Sequence, residues 1–152
     1  MLKPGDTAPS FTAHDQDGNE VTLAALLARG ELIVYFYPAD FTPVCTREAC
    51  AFRDRFEDLQ RVDVQIVGVS PQGADSHRRF RAAFELPFPL ICDPNKDLIL
   101  AFGVDGPLGL GTRRATFLIG RDGVVKNRAV ADFFIGSHVD LLRAVLADRG
   151  SP

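Results

Sequence analysis

The chain has 152 residues, of which 46% are hydrophobic and twelve are phenylalanine, enough for one domain with a sizeable core. Its formal charge of −3 and its scattered lysines and arginines exclude a concentrated positive surface, so neither nucleic acid nor an anionic membrane is expected as a partner. The first residues lack the apolar core of a signal peptide, and no apolar run reaches the roughly 18 residues that span a bilayer, so a cytoplasmic protein is expected.

The first half of the chain predicts alternating strands and helices. Residues 21–30 predict a short strand and a helix ended by glycine, and the apolar run 31–37 predicts a strand buried on both faces. A helix over residues 43 to about 60 follows, then a second buried strand at 64–70 and a surface helix at 73–84. Strand, helix, strand, helix in this order implies a parallel core.

In the second half, residues 86–95 form a short apolar segment closed by a turn, and residues 96–102 predict a brief helix. The glycines of residues 103–111 run G-x-x-G-x-G, and a strand-like segment follows them rather than a helix. That context does not fit a dinucleotide-binding turn, so a flexible loop is predicted there.

The end of the chain predicts a hairpin of residues 115–119 and 124–130, followed by a helix from Ser137 to Asp148 with Ser137 as its N-cap. A parallel βαβ unit, an antiparallel hairpin and a closing helix are typical of a thioredoxin-like α/β fold. We therefore predict one such domain over residues 1–152, with a central mixed sheet flanked by helices and an N-terminal extension.

The cysteines Cys45, Cys50 and Cys92 are too few, and odd in number, for a structural disulfide framework in a reducing compartment. The three histidines are isolated in the sequence, which disfavours a zinc site built from paired ligands. We expect the histidines to be surface residues or core filler. Catalysis, redox sensing or burial must therefore account for the cysteines.

Cys45 lies just inside a predicted helix start. Thr42 and Pro43 fit the N-cap and the first helical position, so Cys45 is the third residue of the first turn. Unpaired backbone N–H groups and the helix dipole favour a thiolate there. The helical phase places Cys45 on the apolar face with Phe52 and Phe56, so its sulfur is expected to face the body of the domain.

Cys50 follows five residues later, about 140° around the same helix and on its polar side. The two α-carbons should be roughly 8 to 9 Å apart, beyond the ~7 Å limit for a disulfide, so the thiols can pair only if the helix start unwinds. This spacing disfavours a thioredoxin-type C-x-x-C motif. The rigid ring of Pro38, at the end of the preceding strand, could close over the sulfur and favour small substrates.

These residues resemble a known family. The pattern Pro38-x-x-x-Thr42-x-x-Cys45 is similar to the active-site signature of the peroxiredoxins, and Cys50 at plus five resembles the subgroup called bacterioferritin comigratory protein or peroxiredoxin Q. Residues 3–11 resemble the opening of the family and residues 114–119 its later arginine-bearing strand, so the resemblance covers nearly the whole chain.

The resemblance implies a role for each motif residue. Cys45 would be the peroxidatic cysteine and Cys50 the resolving one, while Pro38 would shield the sulfenic acid. Thr42 and Arg114 would organise the peroxide, because a hydroxyl and an arginine stabilise the charge that builds on the departing oxygen.

The roles of Arg113, Arg114, Glu48 and Cys92 are less directly indicated by the sequence. Arg113 and Arg114 cannot be separated by pattern alone, since one residue of register reverses the face of a strand, and Arg114 is chosen by its place in the family motif. Glu48 also matches a family residue that could help to orient an arginine, but a solvated helix charge fits equally well. Cys92, in an apolar run, is expected to be a buried, inert thiol outside the site.

The implied function is a thiol peroxidase that reduces hydrogen peroxide and small alkyl hydroperoxides without a metal or a bound organic cofactor. The sulfenic acid would condense with Cys50, and a dithiol such as thioredoxin or a glutaredoxin-type protein would reduce the disulfide. A monomer or weak homodimer is expected. The alternatives are a non-enzymatic redox sensor or interaction protein and a dithiol-disulfide reductase.

Overall fold

The computed structural model describes residues 1–149 and has a mixed α/β fold. The strands are β1 Thr12–Asp15, β2 Glu20–Thr22, β3 Glu31–Phe36, β4 Val64–Ser70, β5 Leu90–Cys92, β6 Ala115–Ile119 and β7 Val125–Val130. The helices are α1 Leu23–Leu27, α2 Pro43–Arg53, α3 Phe56–Arg61, α4 Ala74–Phe84, α5 Asp97–Ala101 and α6 Gly136–Asp148, and a 3₁₀ turn covers Pro107–Gly109. The last three residues of the predicted domain lie outside the described residues.

The seven strands of the described residues form one mixed sheet in the order β2-β1-β5-β4-β3-β6-β7. The central strand β3 pairs in parallel with β4, and β4 pairs in parallel with β5. The hairpin of β6 and β7 lies antiparallel on the other side of β3, while the N-terminal β1–β2 hairpin lies antiparallel to β5. The predicted βαβ unit, hairpin, closing helix and N-terminal extension are thus confirmed.

Successive side chains of β3 point to opposite faces of the sheet and enter two separate hydrophobic clusters. On one face the ring of Tyr35 packs edge-on against Phe52 of α2, with ring centroids 4.8 Å apart. On the other face Phe36 packs against Phe102 and Phe117, with centroids 5.0 and 5.9 Å away. Because Phe52 is fully buried, it fixes α2 to the sheet.

The prediction of a single helix over residues 43–60 is wrong. The chain forms two helices instead: α2 ends at Arg53 with Asp54 as its C-cap, and α3 begins after Arg55. The backbone of Arg55, at φ −106° and ψ 0°, departs from ideal helical geometry. Apolar side chains nevertheless continue to face the sheet on both sides of the break, as fully buried Phe52 and Leu59 show. A pattern of buried positions therefore did not reveal the interruption.

The predicted N-cap of the last helix is also wrong. The helix α6 begins one residue earlier, at Gly136, with Ile135 at the N-cap and Ser137 exposed within the first turn. The first turn is closed by the backbone, since the N–H of Val139 donates to the carbonyl of Ile135. Within residues 1–149, no helix is long and apolar enough to cross a membrane.

The sheet brings two distant parts of the chain together at one edge. Strand β3 ends at Phe36, from where the chain loops into α2, and β6 begins at Ala115, the register partner of Phe36. Arg114, immediately before β6, therefore lies next to the start of α2. This edge holds the candidate active site.

Candidate active site

Cys45 lies where the sequence predicts, as the third residue of α2 behind Thr42 and Pro43, and is 1% exposed. The hydroxyl of Thr42 does not cap the helix but donates to the carbonyl of Ala39 at 2.9 Å. The first backbone bond of the helix runs from the N–H of Thr46 to the carbonyl of Thr42. The N–H groups of the first turn, including that of Cys45, therefore have no carbonyl partner within the helix and remain available to an anion.

Arg114 joins the other site residues through three directed bonds. Its guanidinium donates from Nη2 to Cys45 Sγ at 3.2 Å, from Nη1 to Glu48 Oε1 at 2.8 Å and from Nε to the carbonyl of Asp132 at 3.0 Å. The side chain is only 3% exposed. Burial alone lowers the pKa of Arg114, but Glu48 and Cys45 outweigh it and raise that pKa above its ordinary value. Arg114 is therefore a fixed cation against the sulfur.

Arg113, which the sequence pattern could not separate from Arg114, points elsewhere. It forms a two-pronged ion pair with the carboxylate of Asp132 and is 39% exposed. The same carboxylate accepts the backbone N–H of Arg114 at 3.1 Å. Burial raises the pKa of Asp132, but these bonds outweigh it and lower that pKa. Asp132, which the sequence analysis missed, thus holds both arginines in place.

Glu48 is fully buried, so it is not a solvated helix charge. It lies on α2, three residues after Cys45, and its Oε1 accepts the bond from Arg114. Burial raises the pKa of Glu48 to about 7, although Arg114 acts in the opposite direction. Glu48 therefore lies where it can orient the guanidinium of Arg114.

A pocket of about 610 Å³ lies beside this cluster and reaches it through Arg114 and Thr42, while Cys45 and Glu48 are buried behind its lining. Polar groups of Thr42, Arg114 and Asp132 line part of it, and the other walls are largely apolar. The glycine-rich segment after α5 supplies one wall, and Leu110 and Phe133 are 72% and 76% exposed beside it. The remaining lining residues are Pro38, Pro43, Val44, Gly106, Pro107, Gly111, Thr112 and Arg113. Pro38 is exposed, on the wall of this pocket.

The chain is similar in sequence and in structure to known proteins. The AhpC/TSA family matches residues 4–128. The chain belongs to the AhpC/TSA family. A putative peroxiredoxin of Mycobacterium tuberculosis is 40% identical over 96% of both chains.

Solved peroxiredoxins confirm the thioredoxin-like fold. The crystal structure of peroxidoxin BcpB from Mycobacterium tuberculosis is 34% identical, with a TM-score of 0.90 over 97% of this chain and 98% of that one. The bacterioferritin comigratory protein of Xanthomonas campestris, described for its alkyl peroxide reduction, is 31% identical, with a TM-score of 0.82 over 99% and 96%. The protein is thus a thiol peroxidase of the peroxiredoxin family.

The other two cysteines of this peroxiredoxin lie apart from the cluster. Cys50 is a half-buried free thiol, and α2 is continuous across it and Cys45. Cys92 is half-buried on β5, and its thiol lies 3.7 Å from the carbonyl of Asp15. Burial raises the pKa of Cys92, and Asp15 and Asp40 add to the effect, so its thiol stays protonated. The expected inertness of Cys92 is consistent with this environment, although the thiol is less buried than predicted.

A buried network that sequence reasoning missed fixes the loop before α2. Asp40 accepts bonds from the hydroxyls of Tyr37 and Ser76 at 2.6 and 2.7 Å, and its Oδ2 lies 2.7 Å from Nδ1 of His77. The other ring nitrogen of His77 lies 3.0 Å from the carbonyl of Ile91. Both ring nitrogens of His77 thus lie within hydrogen-bond distance of an oxygen, and the ring connects the loop before α2 to β5. Its partner lies 37 residues away, so no local pattern could have indicated it.

Asp40→Asn should lower the free energy of unfolding by about 3 kcal/mol at neutral pH, because the amide has one acceptor oxygen where the buried carboxylate has two, shared among Tyr37, Ser76 and His77. Burial raises the pKa of Asp40, but the bonds from His77, Tyr37 and Ser76 outweigh it, so the folded-state pKa lies below the ordinary 3.8. This contribution is therefore present above pH 3.8 and is lost as the pH falls through the folded-state value. Urea unfolding at neutral and acid pH measures both.

The matched control is Asp54→Asn, whose carboxylate pairs with Arg53 at the surface with 63% of its side chain exposed. It should change stability by no more than about 0.5 kcal/mol at either pH. Equal losses in the two variants at neutral pH would contradict the role given to Asp40.

Proposed function

We propose that Cys45 is the peroxidatic cysteine. The observation that carries this proposal is the bond of 3.2 Å from the Arg114 guanidinium to Cys45 Sγ, at a helix N-terminus beside an open pocket. The thiolate attacks one peroxide oxygen, the S–O bond forms and the O–O bond breaks. Sulfur is oxidised to a sulfenic acid, the peroxide is reduced, and the departing oxygen takes a proton from water and leaves as water or an alcohol.

The surrounding groups fit the charge that this step builds. Arg114 and the free N–H groups of the first turn of α2 are aimed at the region where the departing oxygen becomes negative. The Thr42 hydroxyl donates to Ala39, so it cannot also donate to the departing oxygen as the family resemblance implies; its lone pairs are left to accept the O–H of an incoming peroxide. Pro38, on the pocket wall, shields the sulfenic acid from bulk solvent.

Cys50 then resolves the sulfenic acid in our proposal: the two sulfurs form a disulfide and water leaves. Oxidation replaces an anion by a neutral and larger group, so Arg114 loses a charge-assisted bond and the first turns of α2 lose a stabilising contact. That loss favours the local unwinding that brings the two sulfurs together. An external dithiol of the thioredoxin or glutaredoxin type then reduces the disulfide by exchange.

Cys45→Ser should abolish peroxide consumption, whereas Cys50→Ser should allow one stoichiometric oxidation and then stop with thioredoxin as reductant. Peroxide consumption and the intact mass of the protein after one equivalent of peroxide measure both, and peptide mapping identifies the oxidised sulfur. Undiminished consumption by Cys45→Ser would overturn the proposal. A wild-type protein that stops after one equivalent with excess reductant would be a sensor, and catalytic reduction of insulin disulfides would indicate a dithiol reductase.

Arg114→Lys should slow the oxidation of Cys45 by about 100-fold, because a point charge cannot reproduce three directed bonds to sulfur, carboxylate and carbonyl. Arg113→Lys is the matched control, since it keeps a cation beside Asp132 in a half-exposed pair, and its rate should stay within about threefold of wild type. Stopped-flow measurement of the second-order rate constant with hydrogen peroxide compares them. Similar losses in both variants would count against the assignment of Arg114.

The apolar pocket walls support reduction of alkyl hydroperoxides as well as hydrogen peroxide, the activity for which the Xanthomonas relative is described. Phe133→Ser removes part of this wall and should lower kcat/KM for cumene hydroperoxide about tenfold while leaving that for hydrogen peroxide unchanged. Phe134→Ser is the control, because Phe134 is 80% exposed and lies outside the lining. An equal effect of Phe133→Ser on both peroxides would show that the wall does not select the tail.

A further inference from the structure

One buried oxygen of the site has no role in the reaction described above. The Glu48 side chain is fully buried and its Oε1 accepts the bond from Arg114. The second oxygen, Oε2, has no hydrogen-bond partner in the part of the chain that the structure describes. The nearest approach recorded for it is to Nδ1 of His138, at 3.6 Å. An unpaired buried carboxylate oxygen is costly, so its protonation state needs an explanation.

The bonds of His138 determine where that ring carries its proton. Its Nε2 lies 3.0 Å from the carbonyl of Ala131, which only accepts, so Nε2 must carry a hydrogen. Its Nδ1 lies 2.7 Å from the hydroxyl of Thr116, which can donate. Burial lowers the pKa of His138 and Arg114 adds to this effect; the Ala131 carbonyl and Asp132 act in the opposite direction without outweighing it, so the neutral ring is favoured. Nδ1 therefore carries a lone pair, which accepts the Thr116 hydroxyl and lies 3.6 Å from Glu48 Oε2.

The environment of Glu48 Oε2 disfavours the ionised form of the carboxyl group. A negative Oε2 opposite a lone pair is repelled, whereas a protonated Oε2 is attracted to it. An ionised Glu48 would also share the single charge of Arg114 with the Cys45 thiolate, leaving one uncompensated negative charge in a buried cluster. A neutral Glu48 leaves one cation facing one anion.

We propose that Glu48 is a neutral carboxylic acid in the resting protein, with its proton on Oε2 facing Nδ1 of His138, and that His138 is the positioning residue that holds it so. The charge of Arg114 is then left for Cys45 and for the oxygen that departs from the peroxide. This inference rests on the proposed role of Cys45, but the protonation of Glu48 can be measured without any turnover.

The other ionisable groups that face this pair come from several elements. Tyr35 on β3 has a buried hydroxyl without a partner; burial raises its pKa well above the ordinary value, with Glu48 next in effect, so the phenol stays neutral. Asp132, after β7, is held as an anion by its bonds from Arg113 and Arg114. The remaining groups are the Cys45 thiol and the Arg114 cation, both described above.

The proposal has a consequence for reactivity around neutrality. As the pH rises through about 7, Glu48 ionises, competes for the charge of Arg114 and stabilises the negative oxygen of the transition state less well. Single-turnover oxidation of Cys45 should therefore slow on the alkaline side of neutrality. In Glu48→Gln, which cannot ionise, that alkaline decline should be lost.

Infrared spectroscopy of the reduced protein tests the protonation directly. The spectrum should contain a protonated carboxyl band that is lost in Glu48→Gln and that titrates away with a midpoint of about 7. Glu48→Gln is the assignment control, because it keeps an oxygen acceptor for Arg114 but has no carboxyl group. Absence of such a band on the acid side of neutrality would overturn the proposal.

Two further variants separate the positioning role of His138 from a purely structural one. Thr116→Val removes the competing hydroxyl donor, leaves the Nδ1 lone pair to Glu48 alone, and should raise the midpoint by about one unit. His138→Leu removes the acceptor and should lower the midpoint by about one unit. Opposite shifts support the proposal, and shifts in the same direction, or none, overturn it.

The test stays decisive if His138→Leu does not fold. His138→Asn keeps an oxygen acceptor near the position of Nδ1 and should hold the midpoint close to that of wild type, and Thr116→Val replaces only one buried hydroxyl by a methyl group. The infrared readout needs no peroxide. A failed proposal about Glu48 is thus distinguishable from a protein that does not consume peroxide, which only the Cys45→Ser comparison reports.

Discussion

Arg114 holds one positive charge in a place that water hardly reaches, and the arrangement around it follows from the need to balance that charge. Cys45 and Glu48 approach the guanidinium from α2, and the carbonyl of Asp132 approaches it from the segment after β7. A guanidinium is planar and donates in fixed directions, so these partners also fix its orientation. Two separate elements of the fold are therefore held together by one buried side chain, whose charge would also act on the sulfur in the proposed reaction.

Asp132 makes three separate interactions with the two neighbouring arginines. Its carboxylate pairs with Arg113 and accepts the backbone N–H of Arg114, while its carbonyl accepts the guanidinium of Arg114. One residue thus directs Arg113 toward the surface and Arg114 toward the interior. The two arginines are neighbours in sequence just before β6, yet one lies in a half-exposed ion pair and the other is buried against Cys45 and Glu48.

Local features of the site could be predicted from the residues themselves, whereas Arg114 and the orienting role of Glu48 were named only through the resemblance to a family. Thr42 and Pro43 specify a helix start within four residues, so the place of Cys45 follows from short-range rules. The burial of Glu48 depends on Arg114, which is 66 residues away, and the buried ring of His77 is held by Asp40, which is 37 residues away. A single sequence contains no record of such pairs.

The fold class was predictable for a similar reason, since strands β3 and β4 are long apolar runs whose order is readable along the chain. The break between α2 and α3 was not, because burial continues on the same face across Asp54 and Arg55. Likewise Ser137 is a residue type that favours the N-cap, but the first turn of α6 is closed by a backbone bond to Ile135 and does not use the serine side chain. Sequence rules describe what a residue favours, and the packed chain selects among several acceptable choices.

The break after Arg53 also limits how far a disturbance can travel. Helix α2 has only 11 residues, and α3 begins as a separate helix whose Leu59 is fully buried. Loss of the first turns of α2 would end at the anchored ring of Phe52, and the hydrogen bonds of α3 do not depend on those turns. In the proposed cycle the segment that unwinds would thus be bounded by the Asp40 network before it and by Phe52 within it, and the sheet would remain intact.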